Sequence, residues 1–416
     1  MDGTPHHARN TTFLGFVEAF WGLGMNLLSM GTVLPVFLQE RGASNAVIAF
    51  LPALSALGAG VFQAFTGILA GHRGTLRPLV LWLHVGAPLP LVLTGFCLLS
   101  GKLPAVPTVL VLWGCFYAAI GLLYPVWMDY MAKILDPAKR GRALGIVFLT
   151  QTGSGVAGAT AAAALLEGGT SDGRYAILFF VAAAAMSGGS FFFLGTRERT
   201  TSEGAAPSVG QHFRDLAGLW RSRGWLRAYI TARWLVRGTY PLLVHFYAVY
   251  AVAEKGVSPA TAALFGTAAL ACQALAGLAA GTLGDQVGHK TSVLLGQGAL
   301  VAACLLAVAP VPVWSLFIVA GLGGIFLATE YTSQAAWVMD LAAPGERQSI
   351  LALTGFLLTP ASVITPLLGG WVMDRTGFRV VAGAVAVIVM AAMILAAFTV
   401  PAGRKDREGV RTSGSE

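Results

Sequence analysis

Charged residues are scarce in this chain of 416 residues, because lysine, arginine, aspartate and glutamate together supply only 11% of it. Soluble globular domains usually carry about 25%. Hydrophobic residues supply 56%, and the mean hydropathy is +0.71. This composition excludes a soluble protein and indicates a membrane protein embedded in the lipid bilayer.

Cysteine is also rare, and its placement excludes two kinds of structure. The four cysteines all lie inside apolar runs, with no paired spacing and no histidine ligands nearby; they are Cys97, Cys115, Cys272 and Cys304. A disulfide framework or a zinc site would need pairs or clusters of ligands. We therefore interpret these cysteines as small packing groups, and we predict no metal and no cofactor.

The sequence lacks the motifs of a membrane enzyme or of an ATP-driven pump. It contains no cluster of histidine and cysteine, no G-x-S-x-G sequence and no phosphate-binding glycine loop. The formal net charge is +8, but the basic residues are spread over many loops, without the clustered face that binds nucleic acid. These absences favour a protein that is not an enzyme, has no nucleic-acid partner and draws its energy from a gradient or from its substrate.

Twelve apolar runs are long enough to cross a bilayer as helices, each of which needs roughly 20 residues. The first run is too long for the core of a signal peptide and lacks a small-residue cleavage site, so we interpret it as a span. Numbered in chain order as spans one to twelve, the runs cover residues 13–38, 45–66, 78–100, 107–133, 142–166, 175–195, 226–252, 259–281, 291–310, 313–341, 349–371 and 380–400.

These spans divide the chain into five parts. We predict an N-terminal cytoplasmic tail (1–12), a first six-helix bundle (13–195), a cytoplasmic linker (196–225), a second six-helix bundle (226–400) and a cytoplasmic tail (401–416). Apolar residues of the linker recur at helical spacing, which is typical of an amphipathic helix on the membrane surface or of an ordinary solvated helix. They are Val209, Phe213, Leu216 and Trp220.

Lysine and arginine in short loops predict the orientation, because they are retained on the cytoplasmic side. Placing the N-terminus inside puts most loop arginines and lysines in the cytoplasm, including those before span five and after span twelve. An even number of spans then returns the C-terminus to the same side. The sequence therefore predicts a multi-pass protein of the cell (inner) membrane with both termini cytoplasmic.

An internal repeat relates the two halves of the chain. A shift of 214 positions lays Gly281 on Gly67 and Gly288 on Gly74, and the same shift lays Gly256 on Gly42. A loop, an apolar span and a second loop thus recur at one fixed offset. Repeats of hydrophobic segments at about half the chain length are the mark of transporters with two similar halves.

Several motifs resemble those of the major facilitator superfamily. The family carries a G-x-x-x-D-x-x-G-x-[RK] motif after spans two and eight, which Gly281, Asp285, Gly288 and Lys290 match position for position. Residues 137–142, 344–347 and 369–377 are also similar to the family. The resemblance implies an all-α membrane protein with twelve transmembrane helices in two pseudo-symmetric six-helix bundles. It also implies secondary transport by alternating access.

The resemblance also assigns a cytoplasmic gate. Asp285 is expected to lie against the start of span five, where basic residues and a helix N-terminus can receive its carboxylate. In the first-half copy, Gly71 stands where the family has aspartate, so the gate is expected to depend asymmetrically on Asp285. The predicted gate residues are Gly67, Gly74, Arg140, Arg142, Gly281, Asp285, Gly288 and Lys290.

Ionisable side chains within spans are the strongest functional candidates, because each costs about 2.5–3.5 kcal/mol to insert. The resemblance implies that spans one, four, seven and ten line a central pathway. These spans hold nearly all such groups, namely Glu18, Asp129, Arg233, Arg237, His245, Glu330 and Asp340. His84 in span three is the exception, and we interpret it as a packing group.

Counting residues from each span's midpoint places Glu18 level with Arg233, and Arg237 level with Glu330. We predict Glu18 as the proton-binding group with Arg233 as its partner, and the Glu330–Arg237 pair as the second choice. A carboxylate in a low-dielectric site takes up a proton when its cationic partner moves away. A purely structural role for these pairs is the alternative.

Aromatic and amide side chains in the same spans suit an organic solute. Those chosen as substrate or coupling candidates are Asn26, Tyr124, Tyr240 and Gln334, beside Glu18, Arg233, Arg237 and Glu330. We therefore predict a monomeric secondary active transporter that moves a small organic solute together with protons. A drug or metabolite efflux antiporter is the alternative, although spans four and five lack the family's drug-antiport signatures. A non-transporting receptor with the same fold is a third hypothesis.

Overall fold

The computed structural model describes residues 6–62, 74–136, 139–198, 218, 220–342 and 347–403, and within them the chain forms helices joined by turns, without a strand. Spans one to six form the first half and spans seven to twelve the second half. The predicted amphipathic helix of the linker lies almost entirely outside the described residues. Gly67 and Gly71 of the first-half motif also lie outside them.

In the described part of the first half, spans one, two and three are each interrupted once. Spans four and five are continuous helices, and span six ends in a 3₁₀ turn. Span one consists of His7–Leu27 and Val33–Glu40, span two of Asn45–Ile48 and Phe50–Phe62, and span three of Arg77–Gly86 and Leu89–Ser100. Span four is Ala105–Ile134, span five is Arg140–Glu167, and span six is Asp172–Ser190 followed by the 3₁₀ turn Phe191–Gly195.

Among the described residues of the second half, span seven alone is interrupted. It consists of Gly224–Val244 and Tyr247–Lys255. Spans eight to twelve are Pro259–Val287, His289–Val308, Ser315–Leu341, Arg347–Thr376 and Phe378–Thr399.

Nine helices in the described part of the chain are long and apolar enough to cross a membrane. They correspond to spans two, three, four, six and eight to twelve. The other three spans differ for a physical reason. Spans one and seven carry charged side chains within their longer helices, while span five begins with two arginines and holds the polar run Thr150, Gln151 and Thr152.

The first helix begins at His7, inside the segment predicted to be a polar tail. Asn10 explains the difference, because its side chain is buried and tied to two distant carbonyls. Its Nδ2 atom donates to Ile134 O at 2.9 Å and to Arg197 O at 3.0 Å. The ends of spans four and six therefore hold the first turn of span one in place.

The repeat predicted at an offset of 214 residues is confirmed in local detail. Gly42 and Gly256 both adopt left-handed backbone conformations, with φ of 78° and 67°. The serines two residues later both cap the next helix, since Ser44 Oγ accepts from Val47 N and Ser258 Oγ accepts from Thr261 N. The same turn thus follows spans one and seven, at the positions that the offset predicts.

The motif after span eight is helical over most of its length, which corrects its interpretation as a loop. The helix continues to Val287 and breaks only at Gly288, whose φ is 94°. A side chain with a Cβ atom would be strained in that conformation. Glycine at this position therefore separates spans eight and nine with a single residue.

Contacts divide the chain into two compact units, Met1–Ala206 with Ala248–Thr267, and Pro207–Tyr247 with Ala268–Glu416. The hairpin between spans seven and eight thus belongs to the unit of the first half. There, the hydroxyls of Thr160 and Thr267 lie 3.2 Å apart. The second unit packs around a buried cluster that includes Tyr229, Trp337 and Ile350.

Candidate functional site

Glu18 lies on span one in the interior of the first half, with 4% of its surface exposed. The Nε2 atom of Gln151 on span five donates a hydrogen bond of 2.6 Å to Glu18 Oε2. Gln151 is a neutral donor, so it stabilises the carboxylate without cancelling its charge. Within the described residues of this half, Glu18 forms no ion pair.

Glycines bring spans one and five close enough for this contact. A Cβ atom at Gly22 would overlap the carbonyl group of Gln151, and one at Gly158 would overlap the carbonyl of Leu23. Thr150 Oγ1 also donates to Gly15 O at 3.2 Å. The two helices are therefore in close contact along about two turns, and this contact fixes Gln151 beside Glu18.

Trp21, one turn from Glu18 on span one, contacts spans six and three. Trp21 Nε1 donates to Ser190 Oγ at 3.2 Å, and the Trp21 ring meets the His84 ring edge to face at 5.2 Å. His84 is buried, and its Nδ1 lies 2.8 Å from Val80 O. A histidine with a backbone partner and two aromatic neighbours is a packing group, in agreement with its interpretation from the sequence.

Arg233 and Glu330 form a buried ion pair between spans seven and ten of the second half. Arg233 Nη1 donates to Glu330 Oε1 at 2.8 Å, and Nη2 donates to Oε2. Both residues are more than nine-tenths buried. The fork of the guanidinium therefore matches both oxygens of the carboxylate, which is the strongest arrangement for such a pair.

This pair corrects both partnerships predicted from the sequence. Arg233 was assigned to Glu18, and Glu330 was assigned to Arg237, but Arg233 and Glu330 bind one another. Depths counted along the sequence do not report how each helix is rotated, and the rotation of spans seven and ten decides which of the two arginines meets Glu330.

Arg237 lies one turn beyond Arg233 on the same face of span seven. Its Nη1 atom donates to the Tyr240 hydroxyl oxygen at 3.2 Å, and its guanidinium lies 5.6 Å from the centre of the Tyr240 ring. The Tyr240 ring in turn packs against Phe326 of span ten at 5.4 Å. Two predicted site residues, Arg237 and Tyr240, are thus brought together.

Gln334 takes part in a series of side-chain contacts in the second half, made of two hydrogen bonds and one ring contact. Its Nε2 atom donates to the Tyr229 hydroxyl, and the Tyr229 ring packs edge to face on Trp337 at 5.3 Å. Trp337 Nε1 then donates to Pro401 O at 3.0 Å. These contacts connect span ten to spans seven and twelve. They thereby help to hold Glu330, one turn away on span ten, in its place.

The remaining predicted candidates are less constrained. Asn26 Nδ2 donates to Gly22 O of its own helix at 2.8 Å. Tyr124 is 45% exposed, and its ring lies 5.6 Å from that of Trp127.

Only part of the predicted gate falls within the described structure. The side chains of Asp285, Arg140 and Arg142 lie outside it, as does Gly67. Lys290 is described, and its Nζ donates to Ala397 O at 2.7 Å and to Val400 O at 2.8 Å. Lys290 thus holds the start of span nine to the last carbonyls of span twelve, where a cation is favoured.

Two polar residues of this arrangement were missed in the sequence. Gln151 binds Glu18, and the carboxylate of Glu198 accepts from Leu76 N and Arg77 N at the start of span three. Ionisable groups inside spans were the signal used, so a neutral amide and an acid beyond span six were passed over. The sequence feature that could have identified Gln151 is its amide side chain inside an apolar run.

Repeated helical halves, membrane-spanning helices and charged groups buried within them together define a membrane transport protein. The chain belongs to the Major Facilitator Superfamily, whose family model matches residues 12–252 and 229–415. This result agrees with the resemblance seen in the motifs, and the protein has that family's fold of two six-helix bundles. No match is found among curated proteins.

Solved structures of transporters share this fold. A mutant of the nucleoside transporter NupG aligns with a TM-score of 0.72 and 12% identity, over 92% of this chain and 99% of that one. A bacterial homologue of the human lysosomal transporter Spinster, inward-facing and occupied, aligns with a TM-score of 0.68 and 15% identity, over 95% and 97%. A D-xylose–proton symporter aligns with a TM-score of 0.65 and 15% identity, over 95% and 98%.

Proposed function

We propose that this transporter moves a small organic solute across the cell (inner) membrane by alternating access, as a monomer with both termini cytoplasmic, and that proton binding at Glu18 drives it. The observation that carries the proposal is the Glu18–Gln151 contact. A carboxylate buried in an apolar bundle beside a neutral amide has no ion-pair partner among the described residues of its own half. A proton is the simplest ligand that removes that charge.

Desolvation couples this proton to movement. Sealing an ionised carboxylate away from water is costly, whereas a protonated one is much less so. When the pathway opens to the side of higher proton concentration, Glu18 gains a proton and can be enclosed. When it opens to the other side, water and the Gln151 amide stabilise the ionised form, and the proton leaves.

The Arg233–Glu330 pair is a weaker candidate for the coupling site. Its charges already cancel, and both residues belong to the second half. A movement of one half against the other therefore has less effect on their separation. The family fold accommodates proton symport, as in the D-xylose–proton symporter, which supports coupling of this kind here.

The test is uptake into vesicles with and without an imposed pH gradient, using a panel of sugars, amino acids, organic acids and cationic drugs. We expect the gradient to drive accumulation of at least one solute by the wild type. Glu18→Gln should lose that accumulation but retain exchange of the solute across the membrane. Glu167→Gln, which removes an exposed carboxylate at the end of span five, is the matched control.

Accumulation that ignores the gradient, or accumulation against a gradient by Glu18→Gln, would exclude the proton role of Glu18. The sign of the response decides between import and efflux. Solute moving with protons indicates symport, and solute moving against them indicates a drug or metabolite antiporter. A ligand that binds but is not moved by any vesicle would indicate a receptor.

A further inference from the structure

Arg237 is a second positive charge on span seven, one turn from Arg233. Its guanidinium is half-buried on span seven, and the Tyr240 oxygen is the one hydrogen-bond acceptor it has among the described residues. No carboxylate of the described second half forms an ion pair with it. An arginine inside a membrane span normally has a partner, so the missing anion requires an explanation.

The neighbouring pair cannot supply that anion. Glu330 receives two hydrogen bonds from Arg233, one on each oxygen, and this arrangement cancels its charge. The next turn of span seven therefore retains one net positive charge. An anionic ligand would balance this charge without breaking the buried pair.

Around Arg237, hydrogen-bond donors outnumber hydrogen-bond acceptors. Tyr240 accepts the bond from Arg237 with its oxygen, which leaves its own O–H to donate to a further acceptor. One turn away, the Nε atom of Arg233 is buried and has no acceptor among the described residues. Arg237 and Tyr240 therefore present donors to the same region, and no protein acceptor described there meets them.

We propose that Arg237 and Tyr240 form the subsite for a carboxylate group of the transported solute. The proposal rests on the transport function above and narrows the solute to an organic monoanion. The planar fork of arginine matches a carboxylate with two parallel hydrogen bonds, and the Tyr240 hydroxyl adds a third. A phosphate monoester carries close to two negative charges, and a single uncancelled arginine does not balance it.

Equilibrium binding to the purified protein in detergent tests this assignment, because it requires neither transport nor proton coupling. The probes are lactate, benzoate and decanoate at millimolar concentration. Each is compared with its primary amide and with a phosphate monoester that carries the same organic group. Binding is read from the shift in Tm. We expect at least one carboxylate to bind about tenfold or more tightly than its amide, because hydrogen bonds to a charged group are stronger than neutral ones.

Variants assign the preference to Arg237. In Arg237→Gln, the carboxylate and its amide should bind within about threefold of each other, since the charge-assisted bonds are gone. Arg237→Lys should keep part of the preference, and Tyr240→Phe should weaken carboxylate binding while the amide changes less. Arg375→Gln removes an exposed arginine of span eleven that stacks on Trp371, and it should bind as the wild type does.

A second measurement needs no ligand. Because Arg237 forms no ion pair with the described residues of its own half, Arg237→Gln should leave the Tm unchanged or raise it, whereas Arg233→Gln should lower it by leaving the buried Glu330 carboxylate without its partner. Carboxylates and amides that bind equally to the wild type, phosphate monoesters that alone bind, or no binding by any probe would each overturn the assignment. A preference for carboxylates without proton-driven uptake would uphold this subsite and reject the coupling role of Glu18.

Discussion

Gln151 donates its 2.6 Å hydrogen bond to Glu18 at the level where the backbones of spans five and one are in contact. The donor is therefore held by the helices themselves and not by a flexible loop. Since a glutamine amide carries no charge, it can stabilise an ionised carboxylate without preventing its protonation. This relationship leads to the first prediction.

Gln151→Leu should reduce proton-driven uptake by about tenfold or more, because a hydrogen bond to a charged group contributes about 1.5–3 kcal/mol. Removing the donor disfavours the ionised state that must form when the proton leaves. Uptake into vesicles under a fixed pH gradient measures the effect. Thr152→Val is the control, since Thr152 Oγ1 bonds only to Phe148 O of its own helix. A further loss from Gln151→Leu in the Glu18→Gln background would contradict a role through Glu18.

The buried pair of the second half should behave as one unit. Arg233→Gln and Glu330→Gln should each lower the free energy of unfolding by about 3–5 kcal/mol, because each leaves an uncompensated buried group. The double variant Arg233→Gln, Glu330→Gln should lose much less than the sum of the two. Chemical unfolding in detergent provides this double-mutant cycle. Additive losses would show that the two residues do not depend on one another.

Close packing of spans one and five should make Gly22 sensitive to a single methyl group. Gly22→Ala is expected to cost about 1–3 kcal/mol of stability, because its Cβ would overlap the Gln151 carbonyl. Gly153→Ala is the matched control on span five, where a Cβ atom meets nothing within 4 Å. In a helix interior alanine is favoured over glycine by about 0.8–1 kcal/mol, so the control should be neutral or stabilising. Equal losses in both variants would argue against the close contact.

Asp285→Asn should slow transport while leaving equilibrium binding of the solute within about threefold, because a gate residue acts on the change of conformation and not on the ligand. The expectation rests on the family motif, and Gly71 provides no carboxylate at the matching place in the first half. Rates of exchange and binding isotherms measure the two quantities. Glu254→Gln, an exposed acid at the end of span seven, is the control. A variant that loses binding but cycles at the normal rate would refute a role in the gate.

The pattern of the sequence was sufficient for the architecture at the level of spans. The offset of 214 residues placed Gly42 and Gly256 in equivalent turns, and both have positive φ. The predicted helix boundaries were wrong where a specific contact or a single glycine, and not the composition of the segment, decides where a helix begins or ends. Asn10 bonds to carbonyls of spans four and six and so makes a polar segment helical, and the motif after span eight remains helical up to Gly288.

The sequence by itself determined that the protein lies in a membrane, that its two halves are repeats, that its motifs are those of the family and that a few charged residues sit inside its spans. These properties follow from hydropathy, periodicity and motif spacing, which are read along one dimension. Only the tertiary structure decided which of those groups meet. Glu18 and Gln151 are 133 residues apart, and Arg233 and Glu330 are 97 apart. Their contacts depend on the rotation of each helix and on where it is interrupted, and small residues and buried side chains set both.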